Sequence, residues 1–118
     1  MITSLHLAGP FLVNDSAFAH LFESLGRQLI HVHLEHAAKL GSHGIQSLTA
    51  HCAKLKSLAL ANCRLVGSEV VESLVTLTSL ETLILEALGD AVKGVSDEAL
   101  VKVLKSVGGR LRILRLEK

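Results

Sequence analysis

The feature that most constrains this chain is a pattern, apolar-x-x-apolar-x-Leu, that recurs five times along 118 residues. It occurs as Ile2-x-x-Leu5-x-Leu7, Leu29-x-x-Val32-x-Leu34, Leu55-x-x-Leu58-x-Leu60, Leu80-x-x-Leu83-x-Leu85 and Leu111-x-x-Leu114-x-Leu116. Successive middle apolar residues are 27, 26, 25 and 31 positions apart. A chain that is merely rich in leucine has no reason to hold that spacing. A period of this length marks stacked supersecondary units, each too small to bury its own apolar face alone.

Within each step the hydrophobic period changes. The apolar-x-Leu piece alternates with period 2, so its two apolar residues share one side of a short strand. The segment after it has helical spacing: Phe18, Leu21, Phe22, Leu25 and Leu29; Ile45, Leu48, Cys52 and Leu55; Val70, Leu74, Leu77 and Leu80; Leu100, Val103, Leu104, Val107 and Leu111. Asn14 or Asp15, Ser42, Ser68 and Ser96 precede these stripes, where a side-chain oxygen can accept from free helix N–H groups. Gly26 and Gly108-Gly109 lie near helix ends, where left-handed caps are common. Strands are therefore expected near 3–7, 30–34, 56–60, 81–85 and 112–116, and helices near 15–25, 42–53, 68–77 and 96–107. A doubly wound sheet would also alternate strands with helices, but it needs no identical leucine signature in each strand. No Gly-rich phosphate loop follows any strand either.

The expected fold class is α/β: a single solenoid arc over residues 1–118, with parallel strands on its concave side, helices on its convex side and about four and a half repeats. The sequence resembles the leucine-rich repeats across essentially its whole length. The nearest subtype is the cysteine-containing one: Leu55-x-x-Leu58-x-Leu60-x-x-Cys63 is similar to its core motif, with Cys52 just upstream. Val13-Asn14-Asp15-x-x-Phe18 and Val95-Ser96-Asp97-x-x-Leu100 resemble its helix-start motif, while Leu40-Gly41-Ser42 and Val66-Gly67-Ser68 lack the Asp. This subtype is familiar from F-box substrate receptors of ubiquitin ligases. A narrower likeness, to the leucine-rich-repeat subunit of the fungal-type global-genome nucleotide excision repair complex, rests on Leu7-Ala8-Gly9-Pro10-Phe11-Leu12-Val13-Asn14-Asp15, on Leu21-Phe22, on Gly26-Arg27-Gln28-Leu29 and on Gly108-Gly109-Arg110-Leu111-Arg112. The sequence departs from the subtype where Pro10, Ala37 and Leu88 stand at the position that Cys63 fills.

On a strand-lined face the residues between and beside the leucines form columns. One reads Ser4, His31, Ser57, Thr82, Ile113; the next His6, His33, Ala59, Ile84, Arg115; the third Ala8, Glu35, Ala61, Glu86, Glu117. Histidines at one end, small apolar residues in the middle and charges at the other suit a protein or peptide. The expected partner-binding residues are His6, His31, His33, Glu35, Ser57, Ala59, Thr82, Ile84, Glu86 and Arg115.

Other chemistry is thinly supplied. His31 and His33 project to one side with His6 on the neighbouring strand, but zinc needs three or four ligands and usually a carboxylate orienting each ring, and none is evident. These are expected to be solvated histidines, with no metal and no cofactor. Cys52 and Cys63 lack CxxC spacing and read as packing thiols. No motif joins a nucleophile, a base and an orienting group, so no enzyme is expected. Trp and Tyr are absent, removing the usual anchors for sugars and bases.

Net charge is +1, which gives no overall steering to nucleic acid or anionic membrane. Only the C-terminal end is locally basic, with Lys102, Lys105, Arg110, Arg112, Arg115 and Lys118. Two cysteines and no secretory leader point to an intracellular protein, nuclear or cytoplasmic, with no membrane span. The segment 86–95 lengthens the fourth repeat and is expected to loop out. Neither end shows an amphipathic cap, so the arc is expected to be a fragment of a longer solenoid or to associate end to end. The function expected is a protein-interaction module, as in substrate or partner recognition by a ubiquitin-ligase or nucleotide-excision-repair complex. Its rival is contact with nucleic acid through the basic end.

Overall fold

A computed structural model of the chain describes residues 2–9, 13–63, 65, 73–86, 105 and 112–117. Within them lie five strands, β1 (Ser4–Ala8), β2 (His31–Glu35), β3 (Ser57–Ala61), β4 (Thr82–Glu86) and β5 (Ile113–Glu117), and two helices, α1 (Asp15–Leu25) and α2 (Ser42–His51). The protein is α/β. Its strands form one parallel sheet whose spatial order is the order of the chain. Leu5 pairs with Val32, Val32 with Leu58, Leu58 with Leu83 and Leu83 with Leu114. The residues that mark the repeat in the sequence are thus register partners in the sheet.

Each strand lies one residue later than its apolar pattern suggests, and the backbone hydrogen bonds explain the shift. At the start, one carbonyl accepts from two successive N–H groups of the next strand's approach: Thr3 from Ile30 and His31, Ile30 from Lys56 and Ser57, Lys56 from Glu81 and Thr82, Glu81 from Arg112 and Ile113. Regular pairing begins only after that shared acceptor. At the other end, Gly9, His36 and Asn62 turn into the left-handed region, with φ of 67°, 56° and 56°. Their N–H groups donate to the carbonyls of Glu35, Ala61 and Glu86 at 2.8, 2.8 and 2.9 Å. This repeated turn extends pairing one residue beyond the second leucine. Gly suits such a backbone, and Asn and His are among the other residues that adopt it most readily.

The core lies on the face of the sheet that the leucines share with the helices. Val32, Leu34, Leu58, Leu60, Leu83 and Leu85 are buried there with Phe18 and Phe22 of α1 and Ile45 and Leu48 of α2. Leu29, Leu55 and Leu80, the first apolar residues of the second, third and fourth patterns, are buried just before their strands, whereas Ile2 of the first is 53% exposed. Leu5 and Leu7 of β1 are only half-buried, because that strand has a neighbour on one side alone. Leu21 and Leu25, expected in the α1 stripe, are also only partly buried.

The helix termini correct three expectations. Asn14 does cap α1, its Oδ1 accepting from the Ala17 N–H at 2.8 Å. Ser42 does not cap α2: it is the first helical residue, and the capping position is Gly41, which has no side chain to offer. The acceptor comes from the neighbouring helix instead, for Asp15 Oδ1 takes the N–H groups of Gly41 at 2.9 Å and Gly44 at 2.7 Å. Gly26 ends α1 in the right-handed region, φ −54°, ψ −38°, so no left-handed cap explains it. A Cβ there would lie 2.7 Å from the Cβ of His51, so the glycine serves a close approach to the end of α2. That helix stops at His51, short of 53, because Cys52 leaves helical space at φ −95°, ψ 56°. Of the helix expected over 68–77, only the end is described: it is a tight 3-10 turn at Leu74–Thr76, preceded by Ser73. The helix expected at 96–107 lies outside the described residues except for Lys105, as do the 86–95 loop beyond Glu86 and the turn positions Pro10 and Leu88.

Candidate functional site

The face of the sheet opposite the leucines carries the three columns read from the sequence. Register places Ser4, His31, Ser57, Thr82 and Ile113 in one row across the strands and His6, His33, Ala59, Ile84 and Arg115 in the next. Ala8, Glu35, Ala61, Glu86 and Glu117 form the third. His6 and His31 are exposed, and His33, Glu35, Ser57, Ala59, Thr82, Ile84 and Glu86 are partly exposed. Ile113 is 53% exposed, high for an isoleucine in a strand. Ala61 is buried. Lys105 and Arg112 are exposed, whereas Lys102, Arg110 and Lys118 of the basic end lie outside the described residues.

The histidine end has a definite geometry. His6 and His33 are direct register partners on adjacent strands. Their rings stack with centroids 4.3 Å apart and planes within 3°, close to the spacing of about 4.8 Å that parallel strands impose. Glu35, two residues beyond His33 and so on the same face, brings Oε1 to 2.9 Å from His33 Nε2. His31 lies on the same face but outside this cluster, which comprises His6, His33 and Glu35. The carboxylate that the sequence did not make evident is therefore present. Period 2 was the signal that could have found it: His33-Leu34-Glu35 points both polar side chains away from the core.

The thiols lie on the opposite side. Cys52 and Cys63 are both free and buried. Burial pushes the Cys52 thiol up to about 12. It also raises that of Cys63, outweighing hydrogen bonds with the backbone of Ala37 and Ala61 that act the other way. Cys63 Sγ lies 3.5 Å from the Ala61 carbonyl and can donate to it, tying the turn after β3 to its own strand. Ala37, at the equivalent place after β2, is buried without that bond.

Fold and site together define an α/β protein with a parallel sheet whose polar face is free of helices among the described residues. None of those helices is long and apolar enough to cross a membrane. No protein-family model matches the chain, and no curated protein matches it at a significant level.

Proposed function

We propose that this chain is a leucine-rich-repeat arc whose concave, strand-lined face recognises a protein or peptide, as the substrate- or partner-reading part of a larger assembly. One observation carries the proposal: five consecutive strands keep one register, so three rows of register positions run unbroken across the sheet. A lattice of this kind, small and apolar at Ala59 and Ile84 and polar around them, offers area and hydrogen bonding to a protein or peptide. The resemblance to the cysteine-containing subtype points to a ubiquitin-ligase or nucleotide-excision-repair complex as the setting, and to a binding role without catalysis. The burial of both thiols in the core, away from the polar face, fits a packing role for them.

The test is retention of protein partners on the immobilised chain, compared with the face variant A59R/I84E. Both positions are partly exposed, so the variant keeps the core. A protein retained by the parent, lost by the variant and little weakened by raising salt from about 0.1 to 0.5 M supports the proposal. Retention unchanged in the variant overturns it. The exposed Arg112 and Lys105 favour one second reading, contact with nucleic acid through the C-terminal end. It is supported instead if nucleic acid is retained with an affinity that falls steeply over the same salt range.

A further inference from the structure

We propose that His6, His33 and Glu35 form a zinc-binding site on the polar face of the sheet, at its β1–β2 end. One ligand atom from each residue lies within 4.8 Å of the other two. The ligands of a four-coordinate zinc, bonded at about 2.0–2.2 Å, lie roughly 3.3 Å apart. His33 Nε2 and Glu35 Oε1 are already at 2.9 Å, so a metal there takes the place of the proton they share. The His6 and His33 rings stack with their planes within 3°, so to share one metal the exposed His6 ring must turn out of the stack until a ring nitrogen points at the His33–Glu35 pair. Two imidazoles and one carboxylate are a ligand set zinc favours, and they leave a coordination position open.

The scaffold explains why these three meet. His6 and His33 are fixed opposite each other by the parallel register, and Glu35 is set on the same face by strand alternation. All three are held by backbone in a regular sheet, which positions ligands better than a loop does. Their exposure leaves the open position accessible to water or to an acidic or imidazole side chain of a bound protein. The site stands on β1 and β2 alone, so it can be tested whether or not a protein partner binds.

Untagged, metal-stripped chain is titrated with zinc chloride by calorimetry, and with cobalt(II) by visible absorption, where four-coordinate geometry gives intense bands. One equivalent of zinc is expected. H6A, H33A and E35Q should each weaken binding by about tenfold or more, the loss typical even of a residue that only orients a ligand. H31A, removing an exposed histidine of the same face, should leave affinity within about twofold. All these side chains are at least partly exposed, so circular dichroism should be unchanged, and the near-isosteric E35Q keeps the test valid if a histidine variant unfolds. Absence of a saturable site, or a loss in H31A equal to that in H33A, overturns the proposal.

Discussion

Asp15 offers the sharpest test of how the helices are held together. Its Oδ1 accepts from the N–H groups of Gly41 and Gly44, at the start of a helix 26 to 29 residues further along, and that helix has no side-chain cap of its own. Asp15→Ala would strand two donors on glycines that are both buried. A hydrogen bond to a charged group contributes roughly 1.5–3 kcal/mol, and a buried donor left unmade costs about 1–3 kcal/mol. Because both donors share one oxygen, the two losses are not additive, and a total of about 3 kcal/mol is expected. That is a large part of the roughly 5–15 kcal/mol that holds a domain folded. Asp15→Asn keeps an oxygen at Oδ1 and gives up only the charge, including its favourable place in the first turn of α1, so about 1 kcal/mol is expected. Urea unfolding at constant m-value measures both, and hydrogen exchange locates the effect. Amides of α2 should lose protection first, while α1 keeps its own cap at Asn14. A cost below about 0.5 kcal/mol for Asp15→Ala, or equal costs for the two variants, would refute the cross-helix cap.

Gly44→Ala should destabilise although alanine is the better helix former by about 1 kcal/mol, because the added Cβ would lie 2.6 Å from Leu40 Cδ1 and 2.7 Å from Asp15 Oδ1. A net loss of about 1–2 kcal/mol in urea unfolding is expected, and a gain would show that the two helices are free to part. The raised thiol of Cys52 makes stability fall in alkali. Its folded-state value, about 12, lies above the ordinary thiol value of 9.0, so the buried neutral thiol is favourable at pH below 9 and the advantage is lost progressively as the unfolded thiol ionises between pH 9 and 12. For this one group the slope approaches about 1.4 kcal/mol per pH unit, and a Cys52→Ala variant should lack it. In the native protein at about pH 8 neither cysteine should react with iodoacetamide until denaturant is added; rapid native labelling would contradict their burial.

The sheet was legible because a leucine pattern with a long period reports register directly. Spacings of 27, 26, 25 and 31 in the sequence are the spacings between paired residues in the structure. Strand ends were less legible, since the shared acceptors at Thr3, Ile30, Lys56 and Glu81 and the left-handed turns at Gly9, His36 and Asn62 leave no trace in apolar periodicity. Ser42 misleads for a related reason. A local pattern reveals caps only within a few residues, whereas Asp15 reaches its donors once two helices lie side by side. Gly26 follows the same logic, being set by the nearness of His51 and not by its own dihedral angles. At the histidine end, alternation placed His6, His31, His33 and Glu35 on one face. The choice of Glu35 over His31 as the third member depends on side-chain reach.

The placement of the caps gives the stack a direction. The N-terminus of α1 is completed by Asn14, immediately before it in sequence, whereas that of α2 is completed by a carboxylate belonging to α1. The first helix therefore carries its own cap, but the second is left incomplete without the first. A hydroxyl bond of the same polarity, from Ser47 of α2 to the Ala19 carbonyl of α1, adds to the dependence. Between these two helices, order is favoured to spread from the amino-terminal side. During synthesis α2 would meet α1 already waiting with the acceptor it lacks.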